Sequence, residues 1–281
     1  MNITRFFYFT LSFAFFSILW SGCDIVEAPY IVDRDTELPD DGEVVRAFLL
    51  EEFTGHQCPN CPAGSEEAEI LKNFYGDRLV IVSVHAGWFA RTTGGDFTYD
   101  FRTPEGEAMN SYFGIEQNPV GLVNRVEFES SLLLGPTAWG SAMAVLDDAA
   151  PAFSLNLEAE KSGSNYNLFV NVRALQDLEL DYYLVALVTE DGIISPQKIN
   201  SNPDYPDGII MDYEHNHVLR RGITDIWGDQ LNEQPVTTGD TFQRDYSFSA
   251  DSEWVEENCH IVVYVMSQTM EIMQVAEIPF P

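Results

Sequence analysis

Val44-Val45-Arg46-Ala47-Phe48-Leu49-Leu50-Glu51-Glu52-Phe53 runs directly into Thr54-Gly55-His56-Gln57-Cys58-Pro59-Asn60-Cys61-Pro62. The first ten of these residues have the pattern of a strand. Beyond them Ala68, Leu71 and Tyr75, with Ile70 and Phe74, recur at helical spacing; Glu66, Glu67 and Glu69 stand near the start and Gly76 closes the run. The C-x-x-C therefore lies where a strand hands over to a helix. A thiol there meets unpaired N–H groups and the positive end of the helix dipole, which stabilise the attacking thiolate. Cys58 is then expected to be the more exposed sulfur and the nucleophile, and Cys61, one turn on, the resolving thiol.

Two other readings stand beside this one. A structural disulfide would close a loop of only about four residues and remove little entropy from the unfolded chain. Zinc would need two further ligands; His56 and His85 are the candidates, but there is no second C-x-x-C and no spaced histidine pair nearby. The redox reading, which an exported setting favours, implies neither a metal nor a dissociable cofactor.

Leu79 to His85, after the helix, is apolar enough to be buried on both faces, as a central parallel strand is. An insertion rich in Gly and aromatic residues follows from Ala86 to about Thr103, then a helix from Pro104 to Phe113, the pair Asn118-Pro119, and a helix from Pro136 to Ala150. From Phe153 the pattern changes to short alternating runs at Phe153–Ala159, Tyr166–Arg173, Tyr182–Thr189, Thr241–Phe248 and His260–Met266, separated by turns. Such runs predict an all-β sandwich, roughly of immunoglobulin type, interrupted by a proline-bearing loop from Ser195 to Gly208. The organisation expected is an α/β domain over 44–151 and an all-β domain over 152–281. His215 and His217, two apart on a strand, read either as half a metal site or as histidines hydrogen-bonded at a strand start. Cys259 reads as a buried small hydrophobe or as a free thiol able to pair between chains.

The chain has 281 residues with 14 Lys+Arg against 45 Asp+Glu, a formal charge of -31. No basic groove for a phosphate backbone can be built from that balance, so nucleic acid is excluded as a partner. Anionic lipid is repelled as well, and any membrane attachment must be covalent or hydrophobic. Residues 1–22 carry Arg5 as their only charge, then an apolar run from Phe6 through Trp20, and end in Ser21-Gly22 before Cys23. The run reads as a secretory signal, being short of the about 20 apolar residues a membrane span needs. Leu19 with Ser21-Gly22-Cys23 resembles the bacterial lipobox, which implies that Cys23 is lipidated and becomes the mature N-terminus. Residues 23–43, acidic and proline-bearing, read as a tether.

Strand, Cys58-Pro59-Asn60-Cys61 and helix together resemble a thioredoxin-fold active site. That resemblance implies a buried proton-accepting acid at Glu52, six residues before Cys58, and a cis-proline at Pro119 facing the C-x-x-C, with the backbone of Asn118 as an edge for a substrate strand. Because Glu51 precedes Glu52 on a strand, one of the two is expected to face inward and the other outward. Gln57 stands where the thioredoxin family usually has Trp. The whole layout is similar to the Omp-twenty-eight-related outer-membrane lipoproteins, through Glu52–Pro62, His85-Ala86-Gly87, Asn118-Pro119 with Val123-Asn124-Arg125, and His215–Arg220 with Gly222. It implies a thioredoxin-like domain followed by a β-sandwich, a cell-envelope location facing periplasm or cell surface, and attachment to the membrane through the lipid. Two functions are open: a thiol-disulfide oxidoreductase acting on protein thiols and disulfides through Cys58 and Cys61, or a binding or structural surface protein that keeps the scaffold.

Overall fold

The computed structural model describes residues 44–281; the expected signal segment, Cys23 and the tether lie outside the described residues. Strand β1 (Phe48–Thr54) and strand β2 (Leu79–His85) pair in parallel, from Phe48 opposite Leu79 to Thr54 opposite His85. Helix α1 (Cys61–Tyr75) makes the crossover between them. Helix α2 (Pro104–Tyr112) leads to strand β3 (Val120–Val123), which pairs antiparallel with β1, and helix α3 (Pro136–Leu146) follows. Every residue of these three strands is buried, as strands covered on both faces must be.

The rest of the chain is β: β4 (Phe153–Ser162), β5 (Asn165–Ala174), β6 (Tyr182–Glu190), and the two-residue strands β7 (Ile193–Ile194), β8 (Gln197–Lys198), β9 (Ile209–Ile210) and β10 (Glu214–His215). These are followed by β11 (Val218–Gly222), β12 (Asp229–Gln230), β13 (Thr241–Ser249), β14 (Cys259–Ser267) and β15 (Ile272–Pro279). The architecture is mixed α/β with β predominating. Alternation decides the faces. Along β5, Tyr166, Leu168, Val170, Val172 and Ala174 are buried while their neighbours are not, so β5 has one dry face.

An eight-stranded sheet runs β15-β14-β6-β11-β2-β1-β3, with β12 beside β6. It crosses the boundary expected at 151/152: β11 lies parallel to β2, with Val218 opposite Ser83, and antiparallel to β6. The described residues fall in one compact unit. One face of the sheet carries a continuous core built from alternate residues of both halves, among them Phe53, Val82, Leu187, Leu219 and Tyr264. The opposite face is shared. Its β1–β3 part packs under α1 and α3 through Leu50, Ile81, Ala68, Leu71 and Trp139, while its β6–β14 part packs against the three-stranded sheet β13-β5-β4.

The sheet curls until its ends meet. Ala47 N donates to Gln274 Oε1 at 2.9 Å. Asn124, in a left-handed conformation at φ 46°, accepts from Leu49 N at 2.7 Å through its side chain and from Ile272 N at 2.9 Å through its carbonyl. This curl explains one departure from expectation. Neither Glu51 nor Glu52 faces solvent: they are 2% and 1% exposed, on opposite faces of a sheet covered on both sides. Glu51 meets Arg125, which donates from Nε at 2.8 Å and from Nη2 at 2.6 Å, and Tyr264 Oη accepts from the same guanidinium at 3.1 Å. Burial alone would lower the Arg125 guanidinium, but the Glu51 carboxylate and Tyr264 outweigh it and hold it above the ordinary arginine value.

Candidate functional site

The site forms at the C-terminal end of β1, where the chain turns before α1. Gly55 is required there. A Cβ on it would lie 2.5 Å from the carbonyl carbon of Phe89, so the insertion's backbone comes too close for any side chain. Cys58 N donates to Gly55 O at 2.9 Å and Cys61 N to Cys58 O at 3.3 Å, which winds the C-x-x-C into the first turn of α1. Cys58 and Cys61 form a disulfide, with their Cα atoms 5.4 Å apart.

Beneath that turn sits Glu52. Its carboxylate accepts from Ser65 Oγ at 3.1 Å and from Ser83 Oγ at 3.4 Å. Burial drives its pKa up to about 7, with the Ser65 hydrogen bond, nearby His217 and the Ser83 hydrogen bond opposing in part. The Asn118–Pro119 peptide is cis, and the Pro119 ring packs on Gly64 of α1. A Cβ at Gly64 would lie 2.8 Å from Pro119 Cβ and 3.1 Å from Glu52 Oε1, so the proline and the acid both approach this helix turn closely. All four residues singled out from the sequence, Cys58, Cys61, Glu52 and Pro119, thus belong to one site.

That packing gives a test. Gly64→Ala will destabilise the protein by a net of about 1 kcal/mol, overpacking against a rigid ring outweighing the gain of about 1 kcal/mol from helix propensity. Gly140→Ala, in α3, meets only the flexible Leu71 side chain at 3.1 Å and will be neutral or stabilising. Thermal unfolding of both variants decides it; equal shifts would show that Gly64 is not pressed between Pro119 and Glu52.

One expectation fails. Cys58 is not the exposed member of the pair: both sulfur residues are 1% exposed. The turn that carries them is covered on two sides. On one side the insertion runs past the loop, with Gln57 N donating to Phe89 O at 3.0 Å and His56 Nε2 lying 3.0 Å from Arg91 O. On the other side lies a segment from the second half of the chain. Lys198 N donates to His56 O at 2.8 Å, Gln197 Nε2 to Cys58 O at 2.9 Å and Asn200 N to Pro59 O at 3.2 Å. The proline-bearing loop expected from Ser195 to Gly208 thus contains the short strands β8 and β9 and lies across the turn.

The second half also supplies the histidines. A cavity of about 410 Å³ opens beside Glu52, and His85, His215 and His217 all line it. They have different partners. His217 Nε2 is 3.0 Å from Glu69 Oε1 and its Nδ1 3.5 Å from Asp191 Oδ1; burial lowers its pKa, but these two carboxylates raise it further. His215 Nε2 is 3.3 Å from Ser195 O, and burial holds its pKa down to about 4. His85 stacks on Phe101 with centroids 4.5 Å apart, and burial, then His215 and His56, hold it well below the ordinary value. Among the described residues no three His, Cys, Asp or Glu side chains converge to hold a metal ion. Cys259, the first residue of β14, is a buried free thiol pushed up to about 12 by burial and by Glu190.

A family model described as Outer membrane protein Omp28 matches residues 106–279, an interval that includes Pro119, Arg125, Gln197 and His215–Arg220. Among solved structures, HBP35 of Porphyromonas gingivalis is similar at a TM-score of 0.61 and 20% identity, covering 85% of this chain and 76% of that one. Protein AGR_C_4864 from Agrobacterium tumefaciens is similar at a TM-score of 0.50 and 10% identity, covering 85% of this chain and 96% of that one. At such identities the likeness is one of fold alone. No curated protein matches the chain.

Proposed function

The chain belongs to the Omp28 outer membrane protein family, and from that premise we propose that it is a lipid-anchored thiol-disulfide oxidoreductase of the cell envelope. The observation that carries the reading is the buried Glu52 carboxyl, which with Pro119 closely approaches Gly64 in the first turn of the helix that follows Cys58 and carries the disulfide. The order β1, α1, β2 with a following cis-proline supports a thioredoxin-like first half. The sheet β13-β5-β4 packed on β6 and β14 supports an immunoglobulin-like sandwich in the second.

In the disulfide form a substrate thiolate attacks Cys58 Sγ. The Cys58–Cys61 bond breaks, a mixed disulfide forms, and Cys61 leaves as a thiolate that takes the proton of Glu52. A second substrate thiolate then attacks the substrate sulfur of the mixed disulfide and releases Cys58 as a thiolate. The substrate dithiol is oxidised by two electrons and the protein's disulfide is reduced. In the reverse direction Glu52 takes the proton of Cys61.

The experiment is a trap. Cys61→Ser, offered an unfolded protein bearing a disulfide, will accumulate a mixed disulfide through Cys58, and Cys58→Ser will not; the absence of any adduct in Cys61→Ser removes the reading. The cover over both sulfurs favours a second reading, a surface lipoprotein that retains the scaffold without turnover, and the same trap decides between them. For the anchor, Cys23→Ala will move the protein from the membrane to the soluble fraction on cell fractionation. If the variant stays with the membrane, the lipidation of Cys23 is wrong.

A further inference from the structure

The turn bearing the disulfide presents three carbonyl groups on one side, from His56, Cys58 and Pro59, and all three are taken by residues 197–200. Two of the donors, Lys198 N and Asn200 N, are two residues apart and so leave from the same edge of an extended segment. That is the spacing with which one strand adds to another. Side chains follow the backbone: Asn200 Nδ2 donates to Asn60 Oδ1 at 2.7 Å, Lys198 Nζ to Gln57 Oε1 at 3.3 Å, and the same ammonium lies 5.3 Å from the Phe97 ring centroid. At its root the segment is anchored by the buried Ser195, whose N donates to Tyr213 O at 3.0 Å, and beyond that root its backbone pairing is short. It belongs to a hairpin of two-residue strands, β8 with β9, and the connection between them exposes Ser201, Pro203, Asp204, Pro206 and Asp207.

We propose that the edge made by the carbonyls of His56, Cys58 and Pro59 is a polypeptide-binding groove, and that Gln197–Asn200 is its built-in occupant. An extended segment of another protein displaces the hairpin and takes over the same hydrogen bonds, with a cationic side chain in the place of Lys198 over Phe97 and Gln57. The exchange replaces like bonds with like, so it needs no large net gain to proceed. The formal charge of -31 favours a partner segment that is cationic rather than acidic. This deepens the oxidoreductase reading and rests on it for the purpose of the groove: displacement is what would uncover Cys58.

The test measures disulfide access and peptide binding rather than turnover, so it is decided separately from the oxidoreductase reading, which the mixed-disulfide trap decides. Lys198→Pro in the full chain removes the donor to His56 O, and β8 does not need that N–H for β9. Reduction of the Cys58–Cys61 disulfide by dithiothreitol is expected to be about tenfold faster than in wild type, the upper end of what one hydrogen bond is worth. A synthetic octapeptide with the sequence of residues 195–202 will slow it again, and the same peptide with glutamate at the Lys198 position will not. Reduction at the wild-type rate, or indifference to the octapeptide, overturns the proposal. Wild-type amide exchange covers the case of a variant that does not fold. The Lys198 and Asn200 amides should exchange at least about a hundredfold faster than those of β2, and equal protection overturns the proposal too.

Discussion

Arg125→Met will cost the protein about 3–5 kcal/mol of unfolding free energy in urea, the largest loss expected from any single polar substitution in it. Arg125 and Glu51 are 0% and 2% exposed at their side chains and form a two-pronged ion pair inside the curled sheet. Removing the arginine leaves a carboxylate with no water and no cation, and the protein must either bear that charge or bind a proton to remove it. The cost comes from the orphaned partner rather than from any great net worth of the pair. Hence Glu51→Leu combined with Arg125→Met, which replaces both charges with apolar groups, should recover most of the loss. A double variant no more stable than Arg125→Met alone would mean that the pair matters for the geometry of the curl and not for charge balance.

Glu52→Gln will act in the opposite sense. The Glu52 pKa is raised from 4.5 to about 7 by burial. Between those values the folded protein binds a proton that the unfolded chain does not, so stability falls as pH rises through the window. Two and a half units amount to about 3 kcal/mol in full, reached above pH 7 and absent below about pH 4.5. Glutamine carries no such charge. In the disulfide form, the stability of Glu52→Gln relative to wild type should therefore climb by about 3 kcal/mol between pH 4 and pH 8, roughly 10 °C in melting temperature. Titrating groups remote from Glu52 are common to both proteins and cancel in the difference; His217 and Glu69, which interact with Glu52, set the shape of the curve across the window. Parallel stability curves across that range would refute a raised Glu52. Under the oxidoreductase reading the same substitution also flattens the dependence of turnover on pH around 7.

How far the sequence disclosed this molecule depended on whether the deciding contacts were local. The strand at Leu79–His85 and the start of α1 at the C-x-x-C were legible because apolar runs, Pro62 and Gly76 act on the backbone nearby. The β4, β5 and β13 strands were legible from simple alternation. Strand β15 was missed: Gln274 is 4% exposed, yet its side chain accepts from Ala47 N and donates to Val45 O, so a polar residue sits where the alternation rule asks for an apolar one. The burial of Glu51 was missed for the same kind of reason, since its partner Arg125 and the second cover of the sheet come from distant parts of the chain. At the site the four residues that come together around the disulfide were legible, while their cover was not. Nothing about Gln197, Lys198 or Asn200 marks them locally; their role exists only because β11 joins β2 and brings the second half of the chain across the disulfide.

That joint between β11 and β2 also governs the order in which the protein can come into being. A chain that emerges N-terminus first completes β1, α1, β2 and β3 early, but the outer edge of β2 has no neighbour until Val218 has followed. Through that interval the chain offers an open, apolar sheet edge of the kind that captures other chains, and a nearly formed C-x-x-C whose cover is still missing. Folding of this chain is therefore a race between completing its own sheet and pairing that edge with a stranger's, and the C-terminal half is what ends it.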